Sequence, residues 1–115
     1  MAKKNQLFQA TPFAVESALK RLGQNLRTAR LRRRLTQAQL SEKIGVGTRA
    51  ISDAEKGKPT TAVSTYMALF WAFDLLDNIK DAADPLKDAE GLRLEALRAP
   101  RRARTPKSSE LNNDF

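Results

Sequence analysis

Two short helices separated by a three-residue turn are the feature that most restricts the fold of this chain. Residues 35–59 read LTQAQLSEKIGVGTRAISDAEKGKP. Thr36 and Gln39 have the spacing of a capping box, in which each side chain bonds a free backbone amide at the start of a helix. Gly45 can adopt the left-handed conformation that ends a helix. The first helix is therefore predicted to run from Gln37 to Ile44.

The second helix of this segment has equally clear boundaries. Gly47 is an acceptable N-cap residue, Gly57 can end the helix, and Pro59 prevents its continuation. We therefore predict a helix from Thr48 to Lys56. Two helices joined in this way, in a basic chain, indicate a DNA-binding helix-turn-helix whose second helix enters the major groove.

The second helix is predicted to have one packing face and one reading face. Ile51 and Ala54 share the packing face, and the opposite face carries Arg49, Ser52, Asp53 and Lys56. Arg49 can donate to both acceptors of guanine, and Asp53 can accept from cytosine. The alternative is that Arg49 and Asp53 form only a surface ion pair, contributing about 0.3 kcal/mol.

The charge and composition favour an anionic partner and argue against catalysis. The 115 residues carry a net charge of +8, and residues 1–60 hold 13 Lys and Arg against 4 Asp and Glu. Because the chain has no His and no Cys, it lacks the usual general base, thiolate nucleophile and N/S metal ligands. We expect no catalytic residues, no metal and no cofactor.

The longest apolar run, Tyr66 to Phe73, is too short to cross a bilayer, and no apolar core follows the first lysines. We therefore expect a soluble, cytoplasmic, nucleoid-associated protein.

The predicted organisation is an N-terminal arm (1–10), a helix-turn-helix and dimerisation domain (11–80), an acidic segment that can form a C-terminal helix from Asp84-Pro85 (81–98), and a disordered basic tail (99–115).

The first helix is predicted to open at Thr11 and Pro12 and to bury one apolar stripe, formed by Val15, Leu19, Leu22, Leu26 and Ala29. Gly23 interrupts the pattern, so two helices remain an alternative to one.

A later helix, from Thr61 to about Phe73, is apolar nearly all round. Its excess apolar surface predicts a homodimer interface formed by Trp71, Phe73, Leu75, Leu76 and Ile79. In such a dimer, two recognition helices about 34 Å apart can read an inverted repeat. The alternative is a single rich core, and residues 75–80 can be either a short helix or an extended strand.

Residues 22–75 resemble the XRE (Cro/repressor) family of transcriptional regulators through Gln37, Leu40, Gly45, Val46, Ile51, Glu55 and Gly57. The resemblance implies an all-α, lambda-repressor-like bundle of four to five helices. It also implies that Gln37 contacts phosphate, that Thr48, Arg49 and Ser52 lie at the bases, and that Arg30 pairs with Glu55. The family commonly has Ala at the position of Ser41 and a longer apolar residue at that of Ala54.

The expected DNA contacts fall into two groups. The base-reading residues are Thr48, Arg49, Ser52 and Asp53. The phosphate-contacting residues are Gln37, Lys56, Lys58, Arg33, Arg34 and Lys43.

A narrower resemblance, to HipB-like antitoxins, involves the Thr60-Thr61 helix entry, the Phe73-Asp74-Leu75 exit and a polar tail ending in Phe115. It implies a homodimeric repressor of its own operon that also holds a HipA-like Ser/Thr kinase toxin, with Phe115 docking on the kinase. The alternatives are a stand-alone or phage-type repressor, and an interaction module that inhibits a partner protein without binding DNA.

Overall fold

Five α-helices form the described part of the chain, residues 10–98, in the computed structural model. They are α1 (Phe13–Arg32), α2 (Gln37–Ile44), α3 (Thr48–Glu55), α4 (Val63–Ala72) and α5 (Ala89–Arg98), with 3-10 turns at Leu76–Asn78 and Pro85–Lys87. The predicted arm, apart from Ala10, and the predicted basic tail lie outside the described residues. The chain divides after Lys80 into two units, and no described helix combines the length and apolarity needed to cross a membrane.

The helix-turn-helix boundaries follow the local signals in the sequence. Gln39 N donates to Thr36 Oγ1 at 3.0 Å, and Thr36 N donates to Gln39 Oε1 at 2.9 Å, so the capping box is complete. Gly45 ends α2 with φ of 76°, and Gly47 is the N-cap of α3. The predicted bounds of α2 are confirmed, and α3 ends one residue earlier than predicted, at Glu55.

Helix α1 is continuous through Gly23, so the two-helix alternative is wrong. An ideal Cβ at Gly23 would lie 2.5 Å from the Glu55 carbonyl oxygen and 2.6 Å from that of Ala54. The missing side chain therefore lets α1 touch the end of α3 backbone to backbone, and the glycine marks a helix crossing instead of a helix end. The predicted stripe is buried only in part, because Val15 is exposed near the start of α1.

Two helices end in the same backbone motif, although neither has a glycine there. Arg34 follows α1 with φ of 58°, and Asp74 follows α4 with φ of 61°. In each case the backbone N–H of the following residue donates to a carbonyl oxygen in the last turn of the helix. Leu35 N lies 3.3 Å from Arg30 O, and Leu75 N lies 2.8 Å from Phe70 O. This is the Schellman pattern. It turns the chain sharply, and residues 75–80 then form the 3-10 turn and no strand.

The core of the first unit lies where α1 to α4 converge, and Phe73 is among its largest buried side chains, 2% exposed. The remaining buried apolar residues are Leu26, Ala29, Leu40, Ile51, Ala54, Tyr66, Leu69 and Phe70. Leu75 and Ile79 pack against this cluster. Phe73 is therefore a core residue and was wrongly predicted as exposed interface, because the chain turns back onto the core at the end of α4. Leu75 and Ile79 are half-buried against that core. Trp71 and Leu76 stay exposed.

The second unit is organised by two aspartates. Asp84 Oδ1 accepts from Leu86 N at 2.9 Å, and Asp88 Oδ1 accepts from Gly91 N at 2.9 Å. The predicted helix start at Asp84-Pro85 is a 3-10 turn, and α5 begins later, at Ala89. No residue from 81 to 98 is buried, so this unit has no core of its own within the described range.

Substitution of Gly23 by Ala tests the close approach of α1 and α3. Alanine in an exposed helix position stabilises by about 1 kcal/mol relative to glycine. At Gly23 the added methyl meets backbone carbonyls, so we expect a loss of about 1–3 kcal/mol in the free energy of unfolding, measured by urea denaturation. The adjacent exposed Gln24→Ala is the matched control, with a change expected within about 0.5 kcal/mol. A stabilising Gly23→Ala would contradict the packing.

Candidate nucleic-acid interface

Helix α3 is fixed on one side and open on the other. Ile51 and Ala54 are completely buried, whereas Thr48 and Arg49 are exposed and Ser52 is half-buried. The packing face and the polar face therefore lie as the helical spacing predicts. A helix held by its apolar side presents its first turn to solvent, which is the arrangement that a major-groove helix needs.

The turn before α3 is stabilised by a side chain that the family pattern does not supply. The Ser41 hydroxyl, on α2, donates to the Val46 carbonyl oxygen in the turn. The carbonyl would otherwise need water as its partner. Ser41 thus gives this chain an additional link between α2 and the turn that orients α3.

A buried ion pair ties the end of α3 to α1. Arg30 Nε lies 2.6 Å from Glu55 Oε2, and Arg30 Nη2 lies 3.1 Å from Glu55 Oε1. Arg30 Nη1 also donates to the Leu35 carbonyl oxygen at 2.8 Å. Arg30 and Glu55 therefore form the pair that the family resemblance implied, and the guanidinium is not available to a phosphate.

Gln37 joins the same network from the start of α2. Its Nε2 donates to Glu55 Oε1 at 3.1 Å. An amide nitrogen has two donor hydrogens, so this bond occupies one of them and fixes the orientation of the side chain. Three helices thus meet on the one carboxylate of Glu55.

Asp53 pairs with Lys58 and not with Arg49. Lys58 Nζ lies 3.2 Å from Asp53 Oδ1, and the Lys58 backbone amide donates to Asp53 O at 3.1 Å. Both contacts cross the Gly57 turn, a connection that helical spacing could not show. Arg49 forms no salt bridge with any other residue between 10 and 98, so the surface pair offered as its alternative role is absent there.

The remaining expected phosphate contacts divide into free and occupied cations. Arg34, Lys43 and Lys56 are exposed and have no salt bridge within the described chain. Arg33, in contrast, donates to Ala29 O and to Phe73 O, both at 2.9 Å, and its guanidinium lies 5.0 Å from the Phe73 ring centroid. Arg33 therefore ties the end of α1 to the end of α4, a structural role that the sequence did not predict.

A tyrosine behind α3 adds to the fixed side of the site. Burial raises the pKa of Tyr66 above its usual 10.0, and the charge of Asp53 raises it further. The phenol is neutral at pH 7, and α4, the helix that carries it, contains no Lys, Arg, Asp or Glu. Within residues 10–98, no group of acidic side chains is arranged to hold a metal ion.

Comparison with known families agrees with this geometry. Residues 26–70 match the family model described as Helix-turn-helix. The matched range includes the end of α1, all of α2 and α3, and most of α4. The match supports a DNA-binding helix-turn-helix over this range. No curated protein matches the chain.

Replacing Glu55 tests whether this carboxylate holds the three helices together. Glu55→Ala leaves Arg30 buried without its counter-ion, so we expect a loss of about 3–5 kcal/mol in the free energy of unfolding. A double-mutant cycle uses the single variants Arg30→Met and Glu55→Leu, the double variant that carries both changes, and the unmodified protein. The double variant removes both charges and should lose less than the two single variants added together. Chemical denaturation of the four proteins measures this coupling, and additive losses would show that the pair contributes no coupling of its own.

Proposed function

We propose that this protein is a sequence-specific transcriptional repressor that binds an inverted-repeat operator as a homodimer in the cytoplasm, associated with the nucleoid. The observation that carries the proposal is the asymmetry of α3. Thr48 and Arg49 face solvent, while Ile51, Ala54 and the Glu55 network anchor the helix from behind. A rigid helix with free polar side chains fits the major groove, and promoter occupancy then blocks transcription.

Selectivity would come from the first turns of α3. Arg49 has a forked donor that matches the two acceptors on the major-groove edge of guanine, and it has no competing carboxylate among the described residues. Thr48 and Ser52 can contact neighbouring base edges. Asp53 already pairs with Lys58. A hydrogen bond from cytosine to Asp53 would therefore depend on where Lys58 lies.

Affinity would come mainly from phosphate contacts around α3. Lys43 lies in the last turn of α2, and Lys56 and Lys58 lie in the loop that follows α3. Together with Arg34 and the second donor of Gln37, they can neutralise or bond phosphates on either side of the groove. Each phosphate contact releases condensed counter-ions, so binding should weaken steeply as salt rises.

Arg49→Ala tests the reading role. With an operator selected from random duplexes, we expect a loss of about 1–3 kcal/mol in operator binding and relaxed selectivity at one base pair. Random duplex should be bound almost as before. The matched control is Arg21→Ala, which removes the same charge from the exposed side of α1 and should leave selectivity unchanged. Equal losses on operator and random DNA would refute base reading by Arg49.

The absence of any sequence preference in the unmodified protein would instead favour the alternative function. In that case the fold would act as an interaction module that inhibits a partner protein. The basic composition and the free Arg49 support DNA binding over this alternative.

The narrower proposal is that the repressor is the antitoxin of a HipA-like Ser/Thr kinase. Its support is the resemblance at Thr60-Thr61 and at Phe73-Asp74-Leu75, and the structure adds that the exit is a sharp turn at Asp74. Phe115, the proposed docking residue, lies outside the described residues. Without the kinase contact, the protein would be a stand-alone or phage-type repressor.

Co-purification with a kinase encoded beside this chain tests the antitoxin role. We expect the full chain to bind the kinase and suppress its toxicity, and Phe115→Ala to weaken that binding while operator affinity is unchanged. Asn113→Ala is the control in the same tail. A neighbouring kinase that neither binds nor is suppressed would exclude the antitoxin role and leave the repressor role intact.

A further inference from the structure

Helix α4 carries an apolar stripe on the side that faces away from the core. Val63, Met67 and Trp71 are spaced four residues apart and are 66%, 41% and 61% exposed. Side chains at this spacing lie one above another on a helix. Tyr66, Leu69 and Phe70, on the other side of the same helix, are buried. We call the three exposed residues the α4 stripe.

The α4 stripe is uncovered within residues 10–80. Adjoining exposed apolar side chains are candidates for an interaction site, and Val63 and Trp71 are each more than half exposed. Its neighbours Ser64 and Ala68 are small, so the backbone of a second helix can come close to α4. The surface is therefore suited to packing against another helix.

Charge distinguishes which partner fits this surface. The ten residues of α4, VSTYMALFWA, include no Lys, Arg, Asp or Glu, in a chain with a net charge of +8. When two copies of one protein meet about a twofold axis, the same surface faces itself. Any charged side chain near the axis would then lie close to the identical charge of the second copy. An uncharged face lets two strongly basic copies approach without this repulsion.

We propose that the α4 stripe is the face through which a second copy of this chain binds, in an antiparallel pairing of the two α4 helices. The inference rests on the proposed dimeric repressor and assigns its interface. Met67 lies midway between Val63 and Trp71, so a twofold axis through Met67 pairs it with the partner's Met67. The same axis places Val63 against the partner's Trp71.

This interface differs from the one predicted from sequence. Phe73 belongs to the core and Leu75 and Ile79 are half-buried against it. Val63 and Met67 take their place beside Trp71. The surface is also small. One Trp, one Met and one Val bury less than the roughly 800 Å² per partner that a stable interface of standard size requires. The dimer therefore forms reversibly with concentration and is favoured when both copies occupy adjacent half-sites.

Cross-linking tests the position of the axis. Since the chain has no cysteine, Met67→Cys introduces its only thiol. A short bis-maleimide should then link two full-length copies of this variant. Phe13→Cys is the matched control, because Phe13 is also apolar and exposed but lies on α1, and it should remain unlinked. Equal cross-linking of the two variants, or none with Met67→Cys even on operator DNA, would overturn the proposal.

Sedimentation over a concentration series tests the same face independently. Trp71→Glu places like charges in the interface and should shift the dimer to monomer. Its unfolding by heat should match that of the unmodified protein at concentrations where both are monomers, because the side chain is 61% exposed. Met67→Glu should do the same and serves if the first variant fails to fold. Retention of the dimer by a folded Trp71→Glu or Met67→Glu would place the interface elsewhere.

DNA binding by the same variants separates the two proposals. A monomeric Trp71→Glu that keeps random-duplex affinity but loses operator affinity supports both. An unmodified protein that dimerises through Met67 but shows no sequence preference upholds the interface and removes the proposed operator function. Conversely, undiminished operator affinity in monomeric Trp71→Glu would show that this face is not the operator-binding dimer contact.

Discussion

The buried carboxylate of Glu55 is the point on which the geometry of the first unit depends. It is the last residue of α3, and it accepts hydrogen bonds from Arg30 on α1 and from Gln37 at the start of α2. A charge is stable in such a position only when its partners satisfy it. Arg30 does so with two donors and uses a third on Leu35 O. The orientation of α3 is therefore set from its C-terminal end, which leaves its N-terminal turn free.

Two glycines make that ion pair sterically accessible. At Gly23 and Gly57 an added Cβ would lie 2.5 Å from Glu55 O and from Leu19 O, respectively. The backbones of α1 and of the end of α3 are therefore in direct contact on both sides of the crossing. Bulkier residues would push the helices apart, and the distance of 2.6 Å between Arg30 Nε and Glu55 Oε2 could not be kept. Close packing and the buried charge pair are thus two parts of one arrangement.

Features encoded by neighbouring residues were predictable, and features created by tertiary contact were not. The capping box at Thr36 and the left-handed Gly45 act within one turn, so the bounds of α2 follow from the sequence. The buried face and the exposed face of α3 follow from periodicity. In contrast, Phe73 was predicted to be exposed because α4 has more apolar residues than one buried face needs. The sharp turn at Asp74 could not be predicted, because no glycine occupies that position. From sequence alone, Gly23 was compatible with an interruption of the first helix. Its actual role depends on packing against the end of α3, which is distant in the chain.

The candidate site shows the same division and extends it to charge. Sequence placed Arg49 on the polar face of α3, but it could not show that Asp53 is bound by Lys58 or that Arg33 is held by Phe73 O. The sequence cannot distinguish a Lys or Arg that bonds to other parts of the protein from one that is free to bind DNA. The structure shows both kinds near α3. Arg49 and Lys56, two of the free cations, lie on α3 and directly after it, and helix α4 contains no charged residue. A basic chain that binds phosphates with one surface meets less repulsion from its own copy at a surface without charge, and α4 is such a surface.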